Sequence, residues 1–427
     1  MKSYQDLIAA SKNEAAKMAF VFAAITEHKG SEPYIIALDA EQYYRGLNPR
    51  ITKYEKIIYD MRGDAHVDKW TPNHKIASNF FNFAITQENQ YLLGNGATFT
   101  KDDTKAKLGD DFDTRLQDLG KKALVGGVAF GFFNLDHIDT FSLLEFVPLY
   151  DEENGALRAG IRFWQVSPDK PMRATLYEED GYTDYIRAND KSARLHEKRP
   201  YKLKVRTSEA DGEEIYDGEN YPTFPIVPLW GNDKKQSELV GRQGTIDAFD
   251  LLNSNLVNNL DEAKFIEQLK TTHVAHADGD SGATAEAHTI EAPYQASESA
   301  IQTIQRRLYE DFMCLDVNSL SAANKTATEI KAAYQPLDSK CDMYEYCVIE
   351  FVQKILELAG IDDKVTFTRS KVVNKSDEIN TLLAAQAYLD DETIVEQVCQ
   401  ILGIADKTDE IIRKRRTEEQ SRYEVAE

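Results

Sequence analysis

The chain lacks the motifs that small-molecule chemistry and membranes require. No G-x-x-x-x-G-K-[ST] phosphate loop and no G-x-S-x-G elbow occurs in its 427 residues, which argues against a nucleotide-driven motor and against an α/β-hydrolase. The nearest approach, Gly126-Gly127-Val128-Ala129-Phe130-Gly131, has neither Lys nor Ser and is explained by helix or strand packing. Cysteine is scarce: Cys314, Cys341, Cys347 and Cys399 include no C-x-x-C pair, so they are expected to be buried thiols of a reducing compartment, not a disulfide frame or a zinc site. The longest apolar run, residues 123–133, is too short to cross a bilayer. Residues 1–20 form a polar, helical-looking segment, so no secretory signal is expected. Basic residues are outnumbered, 50 Lys and Arg against 72 Asp and Glu, and the formal charge of -22 argues against a conventional duplex-binding protein, which needs clustered cations to displace counterions.

What is present divides into two periodicities. The first 135 or so residues are mainly helical by spacing: residues 4–28, 76–93 and 112–125 each carry a helical pattern, with stops at Gly94-Asn95-Gly96 and Gly126-Gly127. From residue 143 to 230 the period falls to two. Residues 145–149 and 156–165 flank the turn residues 151–155, and residues 173–177 and 182–186 flank 178–181, which gives two hairpins in a β-rich insert. Helical spacing resumes at Ser237 and continues to the end, interrupted by a loop at 275–293 and an extended 364–368.

The most informative stretch is 221–263. Pro225 and Pro228 restrict a strand to a sheet edge or to interrupted pairing, because proline donates no ladder hydrogen bond. After Trp230-Gly231-Asn232, Ser237 is a plausible N-cap, and Ile246, Phe249, Leu252, Leu256, Leu260 and Ala263 form one apolar stripe. Asp247, Ser254, Asn258 and Asp261 lie on the opposite face, which is expected to face water. A second helix over 297–314 places Ile301, Ile304, Leu308 and Phe312 together, with Arg306 and Arg307 outside. Thr326 or Thr328 suits the cap of a third, with Glu329 favouring its start. His273, His276, Asp278, Asp280 and His288 offer metal-ligand types, but neither an H-E-x-x-H helix nor a twelve-residue calcium loop surrounds them, so no metal is expected.

The strand, turn and helix of 221–263 resemble those of the portal proteins of tailed bacteriophages, of the siphophage type. Four further blocks share the resemblance in the same order: 40–51 (AEQYYRGLNPRI), 72–99, 143–165 and 324–361. The resemblance implies an α+β, mainly helical portal fold with a β-rich wing, long stem helices, a tunnel loop and helix, and a helical C-terminal crown. Residues 1–235 would be the N-terminal helices and wing, 236–272 the first stem helix, 273–295 a short clip and 296–316 the second stem helix. Residues 317–328 would form the tunnel loop, 329–370 the tunnel helix and wing return, and 371–427 the crown.

The implied work is mechanical: a ring, dodecameric as in the family, at one capsid vertex, through which double-stranded DNA is packaged and ejected. No catalytic residue, cofactor or metal is implied. Asn318, Ser319, Leu320, Ser321, Asn324, Lys325 and Thr326 would face the DNA, Lys325 being placed to meet a phosphate without reading sequence. Weaker candidates are Lys264 and Lys270 on the stem and the basic run Arg413-Lys414-Arg415-Arg416 in the crown, for which solvation and helix-surface pairing with Glu418 and Glu419 are the plainer explanations. Expected partners are further copies of the chain, the large terminase subunit, a head-completion or adaptor protein, and the major capsid and scaffolding proteins, in a virion assembled in the host cytoplasm. An acidic channel wall would repel the duplex and let it slide, although at a Debye length of about 8 Å only carboxylates lining the bore act this way. The alternative is a capsid-associated scaffold or adaptor protein without a DNA channel.

Overall fold

The computed structural model describes residues 2–101, 103–188, 191–207, 214–274, 294–317, 327–371, 379, 382–384, 390–402, 408 and 411–414. The N-terminal segment expected as one helix is two: α1 (Tyr4–Ala10) ends at Ser11, and Asn13 caps α2 (Glu14–Lys29) by accepting Ala15 N–H at 2.9 Å. Two capping residues within three positions override the helix-favouring alanines around them. α3 (Glu32–Tyr44) and the short α4 (Pro49–Thr52) follow, with Asn48 as the N-cap of α4. A hairpin of β1 (Ile57–Tyr59) and β2 (Ala65–Val67) comes next, and then α5 (Phe80–Leu93), which starts four residues later than its sequence pattern. β3 (Ala97–Phe99), α6 (Thr104–Leu108) and α7 (Phe112–Gly126) complete the helical part, α7 ending at Gly127 in the left-handed conformation with φ 86°.

The β-rich region begins with β4 (Val128–Asn134) and β5 (His137–Ser142). β6 (Phe146–Tyr150), β7 (Leu157–Trp164), β8 (Met172–Glu178), β9 (Gly181–Ala188) and β10 (Lys191–Arg194) then form an antiparallel five-stranded meander, and both expected hairpins lie within it. β11 (Lys202–Thr207) pairs with β12 (Glu214–Glu219). β13 (Ile226–Trp230) takes the edge of a three-stranded sheet, order β13-β4-β5, one of the two placements open to a strand that contains Pro228.

Three long helices dominate the remainder: α8 (Gln243–Val274), α9 (Tyr294–Phe312) and α10 (Ala327–Ala359). β14 (Val365–Phe367), within the expected extended stretch, pairs with β3, and α11 (Asp391–Leu402) follows. Ser237 does not cap α8. Its hydroxyl accepts Leu239 N–H at 3.1 Å within a run of turns, and the helix starts six residues later.

Two compact units result, residues 1–315 with 336–369 and residues 316–335 with 370–427. The division falls at Pro336 inside α10, where the missing N–H interrupts the helix ladder. The first unit holds the larger core, in which Phe81, Phe112, Phe130, Phe141, Phe146, Phe312, Tyr344 and Phe351 are buried, and a second core where α1 and α2 pack on the five-stranded sheet around Leu7, Ile25, Ile161 and Tyr185. Gly131 is required beside the larger core, since a Cβ on it would stand 2.5 Å from the Phe351 ring. In the second unit Asp390 caps α11, accepting Thr393 N–H at 3.0 Å, and Ile394, Val395 and Cys399 are buried. All four cysteines are free; Cys341 and Cys399 are buried, as expected, whereas Cys314 and Cys347 are only partly buried.

Candidate functional site

Most of the residues expected to face DNA lie outside the described residues. Asn318, Ser319, Leu320, Ser321, Asn324, Lys325 and Thr326 lie outside the described residues, as do Arg415, Arg416, His276, Asp278, Asp280 and His288. Lys264, Lys270 and His273 belong to α8, their side chains outside the described set. Arg413 and Lys414 are exposed in a helical turn over 411–414. The geometry is informative in the helices that would carry such a site.

α8 and α9 run antiparallel as a pinned pair. Arg242, immediately before α8, donates from Nε to the Asp311 carbonyl at 2.6 Å, and the Thr245 hydroxyl donates to the Asp311 carboxylate at 3.1 Å, so the start of one helix is tied to the end of the other. The Arg242 guanidinium also lies 5.1 Å from the Phe312 ring centroid. Of the apolar stripe, Ile246 is buried, Phe249, Leu252 and Leu256 are half-buried, and Leu260 is exposed. Ala263 lies outside the described side chains.

The polar face of α8 does not face water. It is covered by the extended segment 73–78, which lies along it in the opposite direction. His74 N–H donates to Asn258 Oδ1 at 2.7 Å, Ile76 N–H to Ser254 Oγ at 3.0 Å, and Ser78 N–H to Asp250 Oδ1 at 2.9 Å. Two residues of extended chain advance about 6.6 Å and four residues of helix about 6.0 Å, so every second N–H meets an acceptor every fourth residue. This seam explains why α5 starts late: the N–H groups of Ile76 and Ser78 are satisfied by side chains of α8 instead of by a helix of their own. At its lower end Asn48 donates to Asp247 at 3.0 Å and to Asp250 Oδ2 at 2.8 Å, and the Tyr43 hydroxyl to Asp247 at 2.6 Å. Asp250, Ser254 and Asn258 are all buried. Burial raises the Asp250 pKa, opposed by its bonds to Ser78 and Asn48. The signal was in the composition of that face: from Asp247 to Asp261 the helix carries no Lys or Arg, whereas solvated faces ordinarily mix long charged side chains.

A second buried group ties the roots of the long helices together. Lys340 Nζ of α10 lies 2.5 Å from Glu88 Oε2 of α5 and 3.0 Å from Glu238 Oε2, which also lies 2.7 Å from Arg242 Nη1. Asn232 Nδ2 donates to the other Glu238 oxygen at 2.8 Å. When both carboxylates are ionised they balance the two cations, the condition under which buried ions are tolerated. Burial, only partly offset by Lys340 and reinforced by Glu238, pushes the Glu88 carboxyl up to about 7. Burial also opposes the Glu238 charge, but Lys340, Arg242 and Asn232 together hold its carboxyl below the ordinary value. Sequence patterning had no access to this cluster, whose members stand 150 and 102 positions apart (Glu88 to Glu238, Glu238 to Lys340).

These contacts anchor the start of α8 and the end of α9 in the first unit. Residues 27–422 match the family described as phage portal protein, SPP1 Gp6-like. The portal protein of Bacillus phage SPP1 is 23% identical over 398 residues, covering 81% of this chain and 76% of that one. The portal protein of Clostridium phage phiCD119 is 22% identical over 392 residues, covering 79% and 83% respectively. Among solved structures, a chain from the neck of an empty GTA particle computed with C6 symmetry aligns at a TM-score of 0.43 and 9% identity, covering 75% of this chain and 90% of that one. A family match over almost the whole chain places it: the chain belongs to the SPP1 Gp6-like family of phage portal proteins, the ring-forming connectors between head and tail.

Proposed function

We propose that this chain closes into a dodecameric ring at one vertex of a phage capsid and acts as the channel through which double-stranded DNA enters and leaves. The observation that carries this is the antiparallel α8–α9 pair, pinned by Arg242 and Thr245 to Asp311 and rooted in the Glu88–Lys340–Glu238–Arg242 cluster. A helix that leaves a compact body and returns beside itself, stiffened along one face by the 73–78 seam, can serve as the stave of a channel wall. Residues 273–295 then form the clip that meets the large terminase subunit and later the head-completion protein. Residues 317–328 form the loop facing the duplex and 371–427 the crown toward the capsid and scaffolding proteins. The work is mechanical, and the charge of -22 favours sliding over sticking.

Replacing Asn324, Lys325 and Thr326 together with alanine tests the channel. Rings are expected to assemble normally while heads package less DNA or fail to retain it, measured as DNA content per purified head. Normally filled heads would remove the loop from the channel.

A further inference from the structure

Between α4 and α5 the chain projects the β1–β2 hairpin, and all six of its strand residues are exposed. Tyr59 (72%), Met61 (106%) and Trp70 (91%) leave most of their surface in water, and Ile57 (48%), Ile58 (45%) and Val67 (40%) nearly half of theirs. Single exposed apolar residues are ordinary, but a cluster of six on one projection is not. An isolated two-stranded ribbon is also marginal in water, so something must hold this one.

Its shape and position are nonetheless fixed. Asp60 Oδ1 accepts Arg62 N–H at 2.8 Å and Asp64 N–H at 2.9 Å, closing the turn. At the base, Lys56 pairs with Glu262 at 2.9 Å and His74 with Asp261 at 2.5 Å, so both ends of the projection are tied to successive residues of α8. Alternate strand residues face opposite sides, which puts Ile57 and its cross-strand neighbour Val67 on one face and Ile58 on the other. A built, anchored ribbon, apolar on both faces, fits a recess in a partner better than a flat surface.

We propose that this hairpin docks on the neighbouring copy of the chain and forms part of the contact that closes the ring, an inference that rests on the ring proposed above. A closed ring uses a head-to-tail interface in which each subunit's projection meets a different surface on the next, so one hairpin per subunit supplies one contact per junction. The area agrees. With full side-chain areas of about 150–250 Å², the six residues expose on the order of 800 Å², close to what one partner contributes to a standard interface. The hairpin also springs from the side of α8, the helix whose own stripe is left half-covered at Leu252 and Leu256 and open at Leu260.

The test is assembly of the full-length chain carrying Tyr59→Ser, Met61→Ser and Trp70→Ser, followed by light scattering through a dilution series, with circular dichroism as the folding control. Because these side chains are exposed, the variant is expected to keep the wild-type spectrum while its half-assembly concentration rises on the order of tenfold or more, the loss typical of a buried aromatic anchor. In parallel, the Trp70 fluorescence, isolated by difference against Trp70→Phe, is expected to be shielded from acrylamide in rings and quenched in dilute subunits. Wild-type and variant rings forming at the same concentration, or Trp70 equally quenched in both states, would overturn the inference alone. A wild-type chain that stays monomeric at every concentration, even when produced together with its scaffolding protein, would overturn both the ring and the inference.

Discussion

Asp250→Asn is the sharpest probe of the seam between α8 and segment 73–78. The carboxylate is fully buried and accepts Ser78 N–H on Oδ1 and Asn48 Nδ2 on Oδ2. An amide of the same shape has one acceptor oxygen, so in either orientation its NH₂ faces a donor. Asn48 cannot relieve the conflict by turning over, because its own oxygen caps α4 by accepting Arg50 N–H at 3.0 Å and Ile51 N–H at 3.3 Å. The substitution therefore removes one hydrogen bond to a charged acceptor and leaves a buried donor unpaired, a cost of about 2–3 kcal/mol. Ser254→Ala, which removes the acceptor for Ile76 N–H, should cost less, about 1–2 kcal/mol. Urea unfolding gives the total, and amide exchange localises it: Ser78, Ile76 and His74 should lose protection while the amides of α7 do not. Asp250→Asn within about 0.5 kcal/mol of wild type, with Ser78 still protected, would refute the seam.

Two further outcomes follow from the buried groups. Glu88, with a folded pKa of about 7 against 4.5 for an ordinary glutamate, contributes stability that is fully present below pH 4.5 and lost as the pH rises to about 7. Glu88→Gln should abolish this contribution, so that the difference in stability between variant and wild type changes by on the order of 3 kcal/mol between pH 4 and pH 8, read from urea midpoints; a flat difference would show that Glu88 ionises normally. Gly131→Ala places a Cβ against the Phe351 ring and should destabilise by about 1–3 kcal/mol through overpacking, visible as a lower Tm; an unchanged Tm would mean that the ring yields freely.

Local chemistry made much of the fold legible. The hairpins β6–β7 and β8–β9 are marked by turn residues between alternating strands, Pro228 suits β13 to an edge, and Gly127 ends α7 where a left-handed residue is needed. Sequence patterning failed where a distant partner intervened. Residues 76–78 carry helical spacing yet lie extended, because α8 supplies the acceptors for the N–H groups of Ile76 and Ser78. Ser237 has the chemistry of a helix cap but serves a turn, since Gly241, at φ 81°, and the preceding turns delay α8 to Gln243. The polar stripe of α8 reads as solvated until the covering segment is seen, and the β1–β2 hairpin is invisible to patterning because its strands are three residues long and bury nothing within the chain. The family was legible in the order of five sequence blocks, whereas the loop expected to meet DNA lies outside the described residues.

The mass and shape of the purified assembly test the central claim most directly. Multi-angle light scattering with negative-stain imaging should give rings with a central channel and a mass of about a dozen 48.4 kDa chains. A monodisperse monomer that forms no ring even when produced together with its scaffolding protein would contradict the account.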